Sequence, residues 1–144
     1  MIVRHDLKCT MLEALNKRCV FLEKACELVG VKATVVHGRA EDYAKEKREC
    51  FDFATARAVA AMPVLSEYCM PYVKVGGRFI ALKSVNEEIG QSVNAVKTLG
   101  GKVTEVKDYT ITNGDSRRLF VINKISHTPT KYPRNPSMIK KKPL

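Results

Sequence analysis

Apolar positions in this chain recur at two alternating periods, and the alternation predicts a layered α/β fold. Leu15, Cys19, Leu22, Cys26 and Val29 are spaced by four and three. They form one stripe of a helix that Asn16 can cap and Gly30 can stop. Strand-like runs flank it, Lys8 to Glu13 before and Ala33 to Val36 after. The charged segment from Asp42 to Glu49 reads as a short surface helix. Phe51 to Arg57 then has strand character and stops abruptly on a cation; small residues follow, and Pro63 suits the first turn of a helix reaching Tyr72. Gly76-Gly77 predict a turn. Arg78 to Lys83 has the continuous apolar centre of a parallel strand covered on both faces. Val85 to Leu99 reads as a helix ended by Gly100-Gly101. Lys102 to Ile111 and Arg117 to Ile125 read as strands, and the short join at Thr112 to Asp115 makes them antiparallel.

Repeated strand-helix units followed by strand-turn-strand describe an open α/β sheet with an antiparallel pair at one edge. Ligands of such sheets lie in the crevice outside the carboxyl ends of the strands. Glu13, the turn from Gly38 to Glu41, Arg57 and Lys83 all fall at such ends. For Arg57 the competing reading is an ordinary arginine paired at a strand end. Residues 1–125 are expected to form the domain. Residues 126–144, with four prolines, five bases and no acid, are expected to form a mobile basic tail.

Composition narrows the partners. The 144 residues are 45% hydrophobic, enough for one cored domain, and no apolar run approaches the roughly 20 residues of a membrane span. The first residues lack the apolar region of a leader, and the five cysteines contain no Cys-x-x-Cys pair. Three scattered histidines give a metal site no support. These features fit a cytoplasmic protein without membrane or metal partners. The net charge of +10 points to a polyanion, and half of it lies in the tail.

An acid at one strand end, with a polar turn after the next strand, is how open α/β sheets hold an adenosine-bearing cofactor. The terminal antiparallel pair resembles the Rossmann-like S-adenosylmethionine-dependent methyltransferase sheet. More specifically, five words resemble the RsmG (GidB) family: Leu15-Asn16-Lys17-Arg18, Gly38-Arg39-Ala40-Glu41-Asp42, Thr55-Ala56-Arg57-Ala58-Val59-Ala60, Ala81-Leu82-Lys83 and Thr128-Pro129-Thr130-Lys131-Tyr132-Pro133-Arg134. The resemblance covers essentially the whole chain. It implies methyl transfer from S-adenosylmethionine to N7 of a guanine in bacterial small-subunit (16S) ribosomal RNA. It also implies a cofactor site at Glu13, Ala40, Glu41 and Arg57, with Glu13 where the family more often has Asp. Lys83, Lys131, Arg134, Lys140, Lys141 and Lys142 are the candidates for RNA contact; no catalytic residue is assigned.

No Gly-x-Gly occurs in the chain, so the family's first strand and glycine-rich loop are expected to be missing, as in a member truncated at the N-terminus. That would expose strand edges that invite self-association and would impair methyl transfer by this chain. Three alternatives stay open: a nucleotide-binding oxidoreductase, a non-catalytic RNA-binding remnant of the same fold, and a solvated basic tail on an incomplete domain.

Overall fold

The computed structural model describes residues 2–57, 59–87 and 89–144. The chain divides into two units, one ending at Tyr43 and one running from Ala44 to Leu144. In the first, β1 (Thr10–Glu13) and β2 (Thr34–His37) pair in parallel through α1 (Asn16–Leu28). Asn16 does not cap this helix. Leu15 holds the capping position, and its amide donates to Glu13 Oε1 at 2.9 Å, so a carboxylate two residues back takes the place of a side-chain cap. The expected stripe is covered only in part. Cys19 is buried, Leu22 and Cys26 are half-buried, and Leu15 and Val29 are exposed, because two short strands cannot cover a 13-residue helix. Gly30 ends α1 at a φ of +66°, where a side chain would be strained.

Next comes α2 (Ala40–Glu46), which starts two residues earlier than the charge pattern suggested and is not merely a surface helix, since Glu41 and Ala44 are buried. The second unit contains β3 (Phe51–Arg57), α3 (Met62–Cys69), a 3-10 turn (Met70–Tyr72), β4 (Val73–Ser84), α4 (Gly90–Thr98), β5 (Gly101–Thr110), β6 (Ser116–Lys124) and α5 (Pro136–Lys141). Its sheet order is β3-β4-β6-β5, with β3 parallel to β4 and the other pairs antiparallel. The mixed sheet and the terminal antiparallel pair are as expected. Among the described residues β3 pairs on one side only, with β4.

The core lies on one face of this sheet. Phe79 and Ala81 of β4 and Phe120 and Ile122 of β6 are fully buried, with Met62 and Leu65 of α3 and Val96 and Leu99 in and beside α4. Each of the larger side chains contributes about 1.5–3 kcal/mol by leaving water.

Three expectations need correction. Gly76-Gly77 do not make a turn; they lie inside β4, where the register against β3 jumps from Phe51↔Val73 to Phe53↔Arg78. The strand absorbs extra residues there. A Cβ on Gly77 would stand 2.5 Å from the Asp52 carbonyl oxygen, so only glycine fits that approach. The helix expected from Val85 begins at Gly90, because the preceding segment is occupied by side-chain contacts of Glu87 described below.

Residues 126–144 are also not a mobile tail. Thr128, Tyr132 and Ile139 are buried, and Arg48 donates to the carbonyls of Tyr132, Thr128 and Pro129 at 2.7, 2.5 and 3.0 Å. Arg134 forks onto Glu67, a wholly buried carboxylate of α3, with contacts of 2.6 to 3.2 Å, and its own amide adds a bond of 2.8 Å. Composition alone hid this, since the anchoring acids lie 67 and 78 residues away.

At the root of the tail the ammonium of Lys124 is wholly buried. It donates to the Met70 and Val73 carbonyls and Thr128 Oγ1 at 2.8, 3.0 and 2.7 Å, and pairs with Glu49 at 3.0 Å. Burial pushes the Lys124 pKa down against the pull of Glu49. Burial pushes Glu49 up, but donors from His127, the Thr128 amide and Lys124 outweigh it and bring its pKa to about 2. The favourable part of this cluster therefore resides on the carboxylate.

Two outcomes follow from these anchors. A carboxylate with a lowered folded pKa adds stability above its unfolded pKa, and that stability is lost as pH falls. The melting temperature should therefore drop between pH 4.5 and about 2 more steeply in the wild type than in Glu49→Gln. Scanning calorimetry across that range checks it. Arg134→Met leaves a buried carboxylate unpaired and should cost about 3–5 kcal/mol in urea unfolding, whereas Lys140→Gln should stay within about 0.5 kcal/mol of wild type.

Candidate functional site

The carboxyl ends of β1 and β2 stand side by side, since Glu13 is the register partner of His37 and the Gly38 amide donates to the Glu13 carbonyl at 2.9 Å. His37 Nε2 lies 3.1 Å from the Ala14 carbonyl and ties the two ends again. The backbone at Glu13 is therefore next to the turn that opens α2. One oxygen of its carboxylate accepts from the Leu15 amide; the other lies 3.6 Å from an exposed Arg18 guanidinium. The Leu15 amide and Arg18 hold the Glu13 pKa below its ordinary value. It is an ionised acceptor with capacity left.

Ala40 and Glu41 begin α2. Glu41 is 7% exposed, and its Oε1 is buried with no hydrogen-bond partner among the described residues. A buried acceptor left unmade costs about 1–3 kcal/mol, so a donor arriving there is favoured by that amount. Glu13, Ala40 and Glu41 thus form one group at one strand-end edge of the first unit.

In the second unit Arg57 closes β3 opposite Leu82 of β4, so it neighbours Lys83 in the sheet. Arg57 is exposed and has no partner among the described residues, which sets aside the reading of a paired strand-end arginine. Lys83 differs from expectation. Its side chain is only 9% exposed, donates to the Ala60 carbonyl at 2.6 Å and pairs with Glu87 at 3.0 Å. It is a strut inside the protein more than a rim cation.

The tail candidates divide in the same way. Arg134 is committed to Glu67, while Lys131, Lys140, Lys141 and Lys142 are exposed, Lys131 lying 5.3 Å from the centre of the Tyr132 ring. Sequence reasoning missed Glu87, although its spacing of four from Lys83 was visible. It also missed Glu49 and Glu67, for which no local pattern exists. Among the described residues no helix is long and apolar enough to cross a membrane, and no group of three or more His, Cys, Asp or Glu could hold a metal ion.

Residues 1–119 match the family described as rRNA small subunit methyltransferase G. The chain is 50% identical over 149 residues to the "Ribosomal RNA small subunit methyltransferase G" of Clostridium beijerinckii, covering 99% of this chain and 62% of that protein. It thus spans about three fifths of the length of the curated relatives it matches. Among solved structures it is similar to an rRNA methylase from Streptococcus thermophilus, with a TM-score of 0.58 at 14% identity over 83% of this chain and 74% of that one. It is also similar to M. jannaschii TYW2 in complex with AdoMet, with a TM-score of 0.62 at 11% identity over 82% and 58%. These two likenesses establish the fold alone, a Rossmann-like α/β sheet. The match over residues 1–119 establishes the family, and the chain belongs to GidB, rRNA small subunit methyltransferase G.

Proposed function

We propose that this chain carries the adenosine-side and RNA-facing part of an enzyme that transfers a methyl group from S-adenosylmethionine to N7 of a guanine in small-subunit (16S) ribosomal RNA. Beyond family membership, one observation supports the reading. Glu13 ends β1 opposite His37 of β2, and Glu41 in the first turn of α2 keeps a buried oxygen with no hydrogen-bond partner among the described residues. These acceptors fit an adenosine, which brings donors in its ribose hydroxyls and exocyclic amine. When bound, S-adenosylmethionine supplies an electrophilic methyl group on a sulfonium.

Glu13 and Glu41 would accept hydrogen bonds from the ribose and adenine side, and the small Ala40 leaves room between them. Guanine N7 has an in-plane lone pair and carries no proton, so the protein needs no general base. Its work is to align nucleophile and methyl and to exclude water. Arginine often reads guanine through O6 and N7. Here N7 must face the methyl, so Arg57 would hold a phosphate or another edge of the base. Lys131 and Lys140 to Lys142 would attract phosphates without reading sequence.

In a protein extended to the length of its relatives, and with tritium-labelled S-adenosylmethionine and small-subunit RNA, label should enter a guanine that becomes sensitive to N7-methyl-directed cleavage. Arg57→Ala should lower the rate at least about tenfold with an unchanged fold, since the loss of one charge-assisted contact is worth about 1.5–3 kcal/mol. Label at another atom, or wild-type turnover in that variant, would contradict the reading. RNA binding without any transfer would favour a non-catalytic RNA-binding protein.

Replacing Lys140, Lys141 and Lys142 together with Gln should make the salt dependence of RNA binding shallower by about 2 in log–log slope, at roughly 0.7 per single-strand phosphate contact. Filter binding between low and high salt measures it. An unchanged slope would remove these lysines from the RNA interface.

A further inference from the structure

The carboxylate of Glu87 joins three parts of the second unit. Its Oε1 accepts from the Met62 amide, in the first turn of α3, at 2.7 Å, and its Oε2 pairs with Lys83 Nζ at 3.0 Å. Lys83 in turn donates to the Ala60 carbonyl at 2.6 Å. The Glu87 carbonyl accepts from Arg118 of β6 at 3.2 Å, and Arg118 forks onto Asp108 of β5 at 2.6 and 2.7 Å. One acid and one base from the end of β4 therefore bracket residues 60 to 62 from both sides, gripping a carbonyl and an amide.

That bracketed segment is the connection between Arg57, where β3 ends, and α3, where Met62 is wholly buried in the core. Neither side-chain end of the bracket is freely exposed; the Lys83 and Glu87 side chains are 9% and 22% accessible. A carboxylate at the start of a helix is also favoured by the helix dipole. Arg57 itself has no partner among the described residues, so its position depends on its backbone.

We propose that Glu87 is a positioning residue: acting through Lys83 and the first turn of α3, it fixes residues 60–62 and thereby sets where Arg57 stands at the end of β3. The role at that strand end rests on the functional reading of Arg57 given above. Glu87 touches neither RNA nor cofactor in this scheme. Lys83 likewise acts inside the protein, in place of the rim contact expected from its position in sequence.

The test uses the full 144-residue chain and reads the segment and the site separately. In Glu87→Ala, amide hydrogen exchange at Met62 should rise at least tenfold, and the backbone resonance of Arg57 should shift. Glu87→Gln keeps an acceptor for Met62 but loses the charge that holds Lys83. It should give intermediate exchange, and it serves if the alanine variant does not fold. These readings decide the structural half whether or not Arg57 meets RNA; unchanged exchange and an unmoved Arg57 resonance would overturn the proposal.

Affinity for small-subunit RNA decides the other half. Glu87→Ala should weaken binding by about as much as Arg57→Ala, and adding it to Arg57→Ala should weaken binding no further. Additive losses would overturn the proposal, because Glu87 would then act independently of Arg57. If Arg57→Ala binds like wild type, the functional reading of Arg57 fails, while the exchange and resonance data still decide whether Glu87 holds the segment.

Discussion

A buried ammonium group is the constraint on which the second unit depends most. Lys124 ends β6, the strand that lies between β4 and β5, and its charge sits where no water reaches it. Such a charge is tolerable only when its donors are matched. Here two carbonyls from the 3-10 turn and the start of β4, a threonine hydroxyl of the tail and the Glu49 carboxylate match them. Glu49 takes a positive φ of 49° to do so. One side chain thus fixes the approach to β3, the entry of β4, the exit of β6 and the root of the tail.

The same logic separates the basic residues into two populations. Lys124, Lys83, Arg48 and Arg134 are spent on the protein's own carbonyls and carboxylates. Arg57 and the lysines at 131 and 140 to 142 are exposed. Net charge alone cannot make that distinction. The observed partners can, and they leave fewer cations for a nucleic acid than the formal +10 implies.

The strands and their ends were legible in the sequence because each carries a local mark. The β3 strand was expected from Phe51 to Arg57 and is found there, since an apolar run broken by a cation and followed by small residues leaves little choice. Gly30 and Gly100 end their helices at positive φ, again a local requirement. What escaped was non-local. Gly76-Gly77 look like a turn until Asp52 of the neighbouring strand is set against Gly77. The tail looks solvated until Glu49 and Glu67 are found beneath it. At the site, Glu13 and the turn at residues 38 to 41 were legible as strand-end groups, and the parallel register brings them together. Lys83 was placed correctly on its strand and misread in its contacts, because its partner Glu87 follows an irregular turn and not a helix.

The proposed function puts the adenosine side of a cofactor site at the ends of β1 and β2. The most direct measurement is a nitrogen-resolved NMR titration of the protein with S-adenosylhomocysteine, repeated with Glu41→Ala. The account predicts that the largest shifts fall on the amides of residues 13 to 16 and 38 to 42, and that the alanine variant loses them while keeping its other resonances. Shifts centred elsewhere, or equal binding by the variant, would contradict it.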